Sequence, residues 1–244
     1  MRTMFDSHVA VGREDLSRLI QQTQATGACL MHTPEEFLTP HTDLRRFSSA
    51  SFLLTEGVEI PFDAATQDRY ALLLAGKRAD YLVNSVLRVD GQRLDDMEYY
   101  TSQHRDDAYR RYLERVLDSL DAPFAFSALG PLTSPSRYAF YPAPNIEYRE
   151  FPELLDCILL RAIYTEKALE VSTAAWAVLN DLMPSSSILA RYRELGGTRI
   201  TLASQAYRPA LCGQHFAAAR EKLLALGFDR YSVYVEQQPT EYPL

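Results

Sequence analysis

The chain has 244 residues, 47% of them hydrophobic and 23% charged, with 32 acidic against 25 basic side chains and a formal net charge of -7. This length suits one domain, 1–244, with a sizeable core, and the acidic balance argues against a broad nucleic-acid-binding surface, which needs concentrated basic charge. No stretch approaches the roughly 18 apolar residues of a membrane span, and Met1–Asp6 has no apolar leader core.

Short apolar or aromatic runs alternate with longer amphipathic ones, the pattern of repeated βα units around a parallel sheet. Met4–Ala10 reads as the first strand. Arg13–Ala25 reads as a helix with Leu16, Leu19 and Ile20 on one face. Cys29–His32 is a short strand, and Pro34–Arg46, with its Pro, Thr and charge, reads as a loop. Ser51–Ile60 is a strand, Ala64–Ala75 a helix and Tyr81–Arg88 a strand. Asp106–Leu120 is a helix whose stripe is Tyr109, Tyr112, Leu113, Val116, Leu117 and Leu120. Pro123–Leu129 is a strand, Glu150–Thr165 a helix and Ala168–Thr173 a strand. Ser186–Leu195 is a helix stopped by Gly196-Gly197. Arg199–Ala203 is a strand, Gly213–Leu226 a helix closed by Gly227, and Tyr231–Val235 a last strand. Cys29, Cys157 and Cys212 are odd in number and far apart, which predicts reduced, mostly buried thiols and a cytoplasmic protein.

Chemistry in such sheets sits at the carboxyl ends of the strands. The residues there are His8 and Ala10, His32, Glu59, Leu87, Pro131, and Gln205 with Tyr207. An ordered series of segments runs along the chain: Gly57-Val-Glu59, Asn84-Ser-Val-Leu-Arg-Val-Asp-Gly91, Pro131-Leu-Thr-Ser-Pro-Ser-Arg-Tyr138, Ala168-Leu-Glu-Val-Ser-Thr173, Arg191-Tyr-Arg-Glu-Leu-Gly-Gly197 and Thr201-Leu-Ala-Ser-Gln-Ala-Tyr-Arg-Pro209. In this series the chain resembles the polymerase-and-histidinol-phosphatase (PHP) family, histidinol-phosphate phosphatases in particular. The resemblance implies a distorted (β/α)7 barrel, and in family members a di- or trinuclear metal cluster that generates hydroxide and neutralises phosphate charge.

Several ligand slots implied by that resemblance hold other residues. The opening His-x-His reads His8-Val-Ala10, Ser-Val-His reads Ser85-Val-Leu87, and His-Leu-Asp aligns with Pro131-Leu-Thr133. The strand end Ser-Asp-Ala-His reads Ser204-Gln-Ala-Tyr207. His8, His32 and Glu59 keep their slots, with Asp6 nearby. Alanine, leucine and proline side chains offer no lone pair, and tyrosine coordinates well only as phenolate, with an ordinary pKa near ~10. Three dispersed ligands support at most one open tetrahedral metal.

The expectation is therefore a barrel-mouth pocket for a small, anionic molecule with no metal and no other cofactor. Its acid–base chemistry (isomerisation, elimination, cyclisation or hydrolysis) would use Glu59 or His8 as base, Tyr207 as acid or oxyanion donor and Gln205 as orienting group, with His32 in the same set. Arg137, Arg208 and Arg88 suit an anion, and Trp176 suits a ring or closes the barrel top. Each of these side chains also fits a scaffold role. Two alternatives stand beside this one: a non-catalytic binding or regulatory barrel, and a residual phosphoesterase with one metal at His8, His32 and Glu59. No nucleic-acid or membrane partner is expected, and the sequence carries no sign of oligomeric state.

Overall fold

The structure, a computed structural model, describes residues 4–23, 25–39 and 43–244. Seven strands lie side by side in chain order: β1 (Phe5–Val9), β2 (Gly27–His32), β3 (Leu53–Pro61), β4 (Tyr81–Ser85), β5 (Ala128–Leu129), β6 (Ala168–Ser172) and β7 (Ile200–Ala203). Every neighbouring pair is parallel. The sheet curls almost to closure: Val9 bridges Ala206, and the Ala10 N–H donates to the Ala206 carbonyl at 2.7 Å. This is the distorted (β/α)7 barrel that the family resemblance implies. Strands β1, β2, β4, β6 and β7 are buried along their whole length. Their polar side chains, Asp6, His8, Asn84 and Glu170 among them, must therefore find partners inside the fold.

Helices wrap the outside. α1 (Leu16–Gln22) packs Leu16 and Leu19 against Val9, Leu30 and Leu54 on the outer face of the first strands. α2 (Pro34–Leu38) and α3 (Gln67–Leu74) follow β2 and β3. The long connection from β4 to β5 carries a two-rung hairpin, Arg88–Val89 against Gln92–Arg93, then α4 (Met97–Thr101) and α5 (Arg105–Ser119). α5 buries Ala108, Tyr109, Tyr112, Leu113 and Val116, the stripe its 3.6-residue period dictates, and lies beside α6 (Pro152–Tyr164). After β6 come α7 (Trp176–Leu179) and α8 (Ser186–Glu194), and after β7 comes α9 (Phe216–Ala225).

Several expected elements differ. Pro34–Arg46 is not all loop, because Pro34 occupies the first turn of α2, where its missing N–H is no loss. Thr33 and Glu36 cap that turn reciprocally: the Glu36 N–H donates to Thr33 Oγ1 at 3.2 Å and the Thr33 N–H to Glu36 Oε2 at 2.8 Å. A 3-10 turn, Leu44–Phe47, follows. Residues 40–42 of the expected loop, residue 24 of the expected first helix and residues 1–3 of the N-terminus lie outside the described residues. The expected strand Pro123–Leu129 contributes only Ala128–Leu129 to the ladder, and Tyr81–Arg88 leaves the sheet at Ser85.

The expected last strand, β8 (Arg230–Val235), stands outside the barrel sheet and pairs antiparallel with a further strand, β9 (Gln238–Pro243). This hairpin closes the amino-terminal end of the barrel. The Phe5 N–H donates to the Tyr231 hydroxyl at 3.0 Å, and the Tyr81 and Tyr234 rings meet at 5.4 Å. The Glu236 N–H donates to Asp80, just before β4, at 2.9 Å. With that end closed, the opposite end is left for a site. Among the described residues no helix is long and apolar enough to cross a membrane. Cys29, Cys157 and Cys212 are free; Cys29 and Cys212 are buried, whereas Cys157 is exposed on α6.

Candidate functional site

Side chains alternate along a strand, so β1 turns Asp6 and His8 inward and sends Val9 to the outer layer. Asp6 is fully buried. It accepts from the Ser204 N–H at 3.0 Å, the Gly213 N–H at 2.8 Å and the Ser204 hydroxyl, and so fastens β1 to the end of β7. Burial raises the Asp6 pKa despite these donors.

One step up the strand, His8 Nδ1 lies 3.1 and 3.3 Å from the two carboxylate oxygens of Glu170 on β6. The Tyr81 hydroxyl donates to the same carboxylate at 3.2 Å and lies 2.8 Å from Thr201 Oγ1. Burial alone would drive the His8 imidazolium to lose its proton. The Glu170 charge and hydrogen bond, with Glu59 and Asp6 further off, outweigh burial and raise its pKa to about 9. At neutral pH His8 is therefore a cation whose Nδ1 is held by Glu170. Its ring edges a cavity of about 550 Å³ at the carboxyl ends of the strands.

That cavity is built from successive strand ends. β1 supplies His8 and Ala10, and β3 supplies Glu59 and Pro61, followed by Asp63. The segment after β4 supplies Leu87, Arg88, Arg93 and Asp95; the turn after β5 supplies Ser134, Arg137 and Tyr138; the end of β7 supplies Gln205 and Tyr207. Six of the expected site residues thus share one wall system: His8, Glu59, Arg88, Arg137, Gln205 and Tyr207.

The four cations at the cavity are not equivalent. His8 is paired with Glu170, and Arg93 grips Asp95 through two bonds of 2.7 and 2.6 Å. Arg137 instead donates to the neutral Gln205 Oε1 at 3.0 Å, and Arg88 to the Gly91 carbonyl at 3.1 Å. Among the described residues neither of these two guanidinium groups has an ion-pair partner. Tyr207 is 60% exposed on the rim, with the Arg208 guanidinium 5.4 Å from its ring centroid.

Three expected residues stand elsewhere. His32 does not share the cavity with His8. It lies on the outer face of β2, as the alternation with Leu30 requires, with Nε2 3.3 Å from Glu56 Oε1. Arg13 Nη2 donates to the same Glu56 oxygen at 2.9 Å, and His32 borders a separate hollow with Arg13 and Glu36. On the inner face of β2 the side chains are Cys29 and Met31, whose sulfurs lie 3.8 Å apart. Arg208 is exposed and does not line the cavity. Trp176 does not line it either; its indole stacks on His215 with centroids 6.0 Å apart, beside the Lys222 ammonium. Pro131 is buried, and its carbonyl accepts from the Tyr112 hydroxyl at 3.2 Å.

Residue-by-residue reading missed Glu170 and Glu56. The available signal was local: Glu170 is the one charged residue of Ala168–Ser172 and Glu56 stands in the mostly apolar Leu53–Pro61, and a buried carboxylate demands a partner. Of the aromatic run Arg137–Pro142, Tyr138 lines the cavity, whereas Tyr141 packs edge-on against Tyr100 and Tyr109 and Phe140 points to solvent.

The donor set can be compared with what a metal cluster needs. Bridged divalent ions require several anionic or imidazole donors converging on one point. Among the described residues no three His, Cys, Asp or Glu side chains are grouped to hold a metal ion. At the cavity, His8 has one nitrogen committed to Glu170, and Ala10 and Leu87 present carbon.

An α/β barrel closed at one end, with polar and cationic side chains gathered at the carboxyl ends of its strands, is a barrel-mouth small-molecule site by class. No family profile matches the chain, but individual proteins do. It is 26% identical over 180 residues to a probable histidinol-phosphatase of Clostridium acetobutylicum, covering 72% of this chain and 69% of that protein. It is 25% identical over 236 residues to a probable histidinol-phosphatase of Thermotoga maritima, covering 91% and 90%. The solved histidinol phosphate phosphatase of Lactococcus lactis subsp. lactis, complexed with zinc, L-histidinol and phosphate, superposes with a TM-score of 0.85 at 19% identity, over 98% of this chain and all of that one. In sequence the chain is thus similar to histidinol-phosphatases, and it shares the fold of the solved ones.

Proposed function

We propose that this barrel, a single domain over 1–244 of a cytoplasmic protein, binds a small anionic molecule at its mouth and moves protons with its own side chains rather than through a multinuclear metal cluster. The observation that carries the reading is the pair Arg88 and Arg137. Both guanidinium groups face the cavity that also holds His8 and Glu59, and neither has an ion-pair partner among the described residues. A guanidinium without a carboxylate keeps its full charge for a phosphate or carboxylate ligand.

The roles follow from protonation state. His8, a cation at neutral pH, is the hydrogen-bond donor and general acid: its Nδ1 is held by Glu170, and the other ring nitrogen carries the transferable proton. The sequence left Glu59 or His8 open as base, and the charge on His8 favours Glu59, half-buried on the same cavity, as the acceptor. A proton donor and a proton acceptor on one cavity are what acid and base steps at a single site need. Tyr207 on the rim is a further donor to the ligand, and Arg208 beside it adds positive potential.

The relatives favour a second reading. They are named histidinol-phosphatases, and the solved Lactococcus protein holds zinc and phosphate. A metal-dependent phosphoesterase would need donors that converge on one point; His8, Glu59, Asp63 and Asp95 line this cavity, but His8 is held by Glu170, Asp95 by Arg93, and among the described residues no three such side chains are grouped around a metal position.

The test is calorimetric titration of inorganic phosphate into chelator-treated protein, unaltered and as Arg137→Ala. The expected result is saturable binding without metal, at least about tenfold weaker in the variant, as for loss of a charge-assisted contact. Binding that appears only after zinc is restored would contradict the proposal.

A further inference from the structure

The geometry points to Gln205 as a positioning residue for Arg137: a neutral tether that aims the guanidinium into the cavity without cancelling its charge. This deepens the anion-binding reading and rests on it.

The tether joins two lips of the mouth. Arg137 ends the 3-10 turn Ser134–Arg137 that follows β5, and Gln205 follows β7. Their bond, Nη1 to Oε1 at 3.0 Å, spans 68 positions of sequence. On its other side the guanidinium sits 5.4 Å from the Tyr138 ring centroid, so the group is held between an amide and an aromatic face.

Gln205 adopts φ +50, the left-handed region that side-chain-bearing residues seldom occupy. Such a conformation persists where its surroundings fix it, and here they do. Ser204 Oγ accepts from the Ala206 N–H at 3.1 Å and is itself bound to Asp6, and the Ala206 carbonyl accepts from the Ala10 N–H at 2.7 Å. With the backbone pinned on both sides, the direction in which the Gln205 side chain leaves the strand is set.

The chemistry of the partner is the second argument. Elsewhere this protein orients half-buried arginines with carboxylates: Arg13 with Glu56, Arg105 with Glu150 and Arg191 with Asp156. A carboxylate orients and neutralises at once. An amide oxygen orients the fork by one of its five N–H groups and leaves the charge and the remaining donors available.

The experiment uses the full chain as Gln205→Glu, Gln205→Gly and Arg137→Ala, with inorganic phosphate as probe in low-salt titration calorimetry, and urea unfolding on the same samples. Gln205→Glu should weaken phosphate binding by about tenfold or more, through the added negative charge beside Arg137, without lowering the unfolding midpoint. That loss should shrink as salt is raised. Gln205→Gly removes the tether but suits the left-handed backbone, so it should weaken phosphate several-fold while melting no earlier than the unaltered protein. A role confined to structure would move stability and leave phosphate affinity alone. Both Gln205 variants binding phosphate as the unaltered protein does, while Arg137→Ala binds at least about tenfold more weakly, overturns the inference and spares the anion-binding reading. No phosphate binding by the unaltered protein overturns that reading, and the inference with it.

Discussion

Replacing Glu170 by Gln removes one charge and little volume from the middle of the barrel, and its cost follows from His8. In the folded protein His8 holds its proton up to about pH 9, against an ordinary value of 6.5, because Glu170 lies 3.1 Å from Nδ1. A group whose folded pKa is raised adds stability that is fully present below its unfolded pKa, here below about 6.5. That contribution is lost as pH rises through the folded value, here about 9. At ~1.4 kcal/mol for each pH unit between the two values, the contribution below the window is about 3 kcal/mol. Without Glu170 the imidazolium would be buried and unpaired, and it would release its proton rather than stay charged.

Glu170→Gln should therefore lose about 3 kcal/mol at pH 6, and the deficit should fall below about 1 kcal/mol by pH 9.5, where the unaltered protein has itself given up the proton. Urea unfolding followed by circular dichroism at pH 6, 7.5 and 9.5 reads this directly, provided the denaturant slope is unchanged. A deficit of equal size at all three pH values, or none at pH 6, would refute the ion-pair argument.

Other substitutions probe the same interior. A Cβ at Gly57 would lie 2.4 Å from Met31 Sδ and 2.9 Å from both Cys29 Sγ and the Tyr81 carbonyl. Gly57→Ala should thus cost about 1–3 kcal/mol in urea unfolding, since the Tyr81 backbone cannot withdraw as a side chain would. Asp6→Ala leaves the Ser204 and Gly213 N–H groups without their acceptor, for a loss of about 3 kcal/mol and faster amide exchange at both positions. In native protein one thiol of the three should react quickly with an aromatic disulfide reagent. Cys157 is exposed, whereas burial raises the pKa of both Cys29 and Cys212; three fast thiols would contradict the packing.

Much of the architecture was legible because local rules and the global fold agree. The seven barrel strands, most of the α5 stripe and the glycine stops appear where the pattern puts them, whereas Leu117 of that stripe is only half-buried. Gly196 and Gly227 sit at φ +92 and φ +84 past the ends of α8 and α9. What the sequence hid depends on distance and on which face a residue presents. His8 and Glu170 are 162 positions apart, so nothing near either names the other. His32 follows Met31 by one residue, and that single step decides whether a side chain enters the barrel or the outer layer. Pro34 looked like a breaker but serves as a first-turn residue. The hairpin at the amino-terminal end was half seen because β9, exposed along its length and carrying Pro239 and Pro243, has no apolar alternation to read.

Whether this barrel works without metal is decided by metal content from inductively coupled plasma spectrometry, as purified and after loading with zinc, manganese or iron, with histidinol phosphate turnover on the same samples. Proton transfer by side chains alone requires less than one metal per chain after desalting and no gain of turnover on loading. Stoichiometric retained metal, with turnover that chelation abolishes and zinc restores, would contradict it and establish the metal-dependent phosphoesterase reading instead.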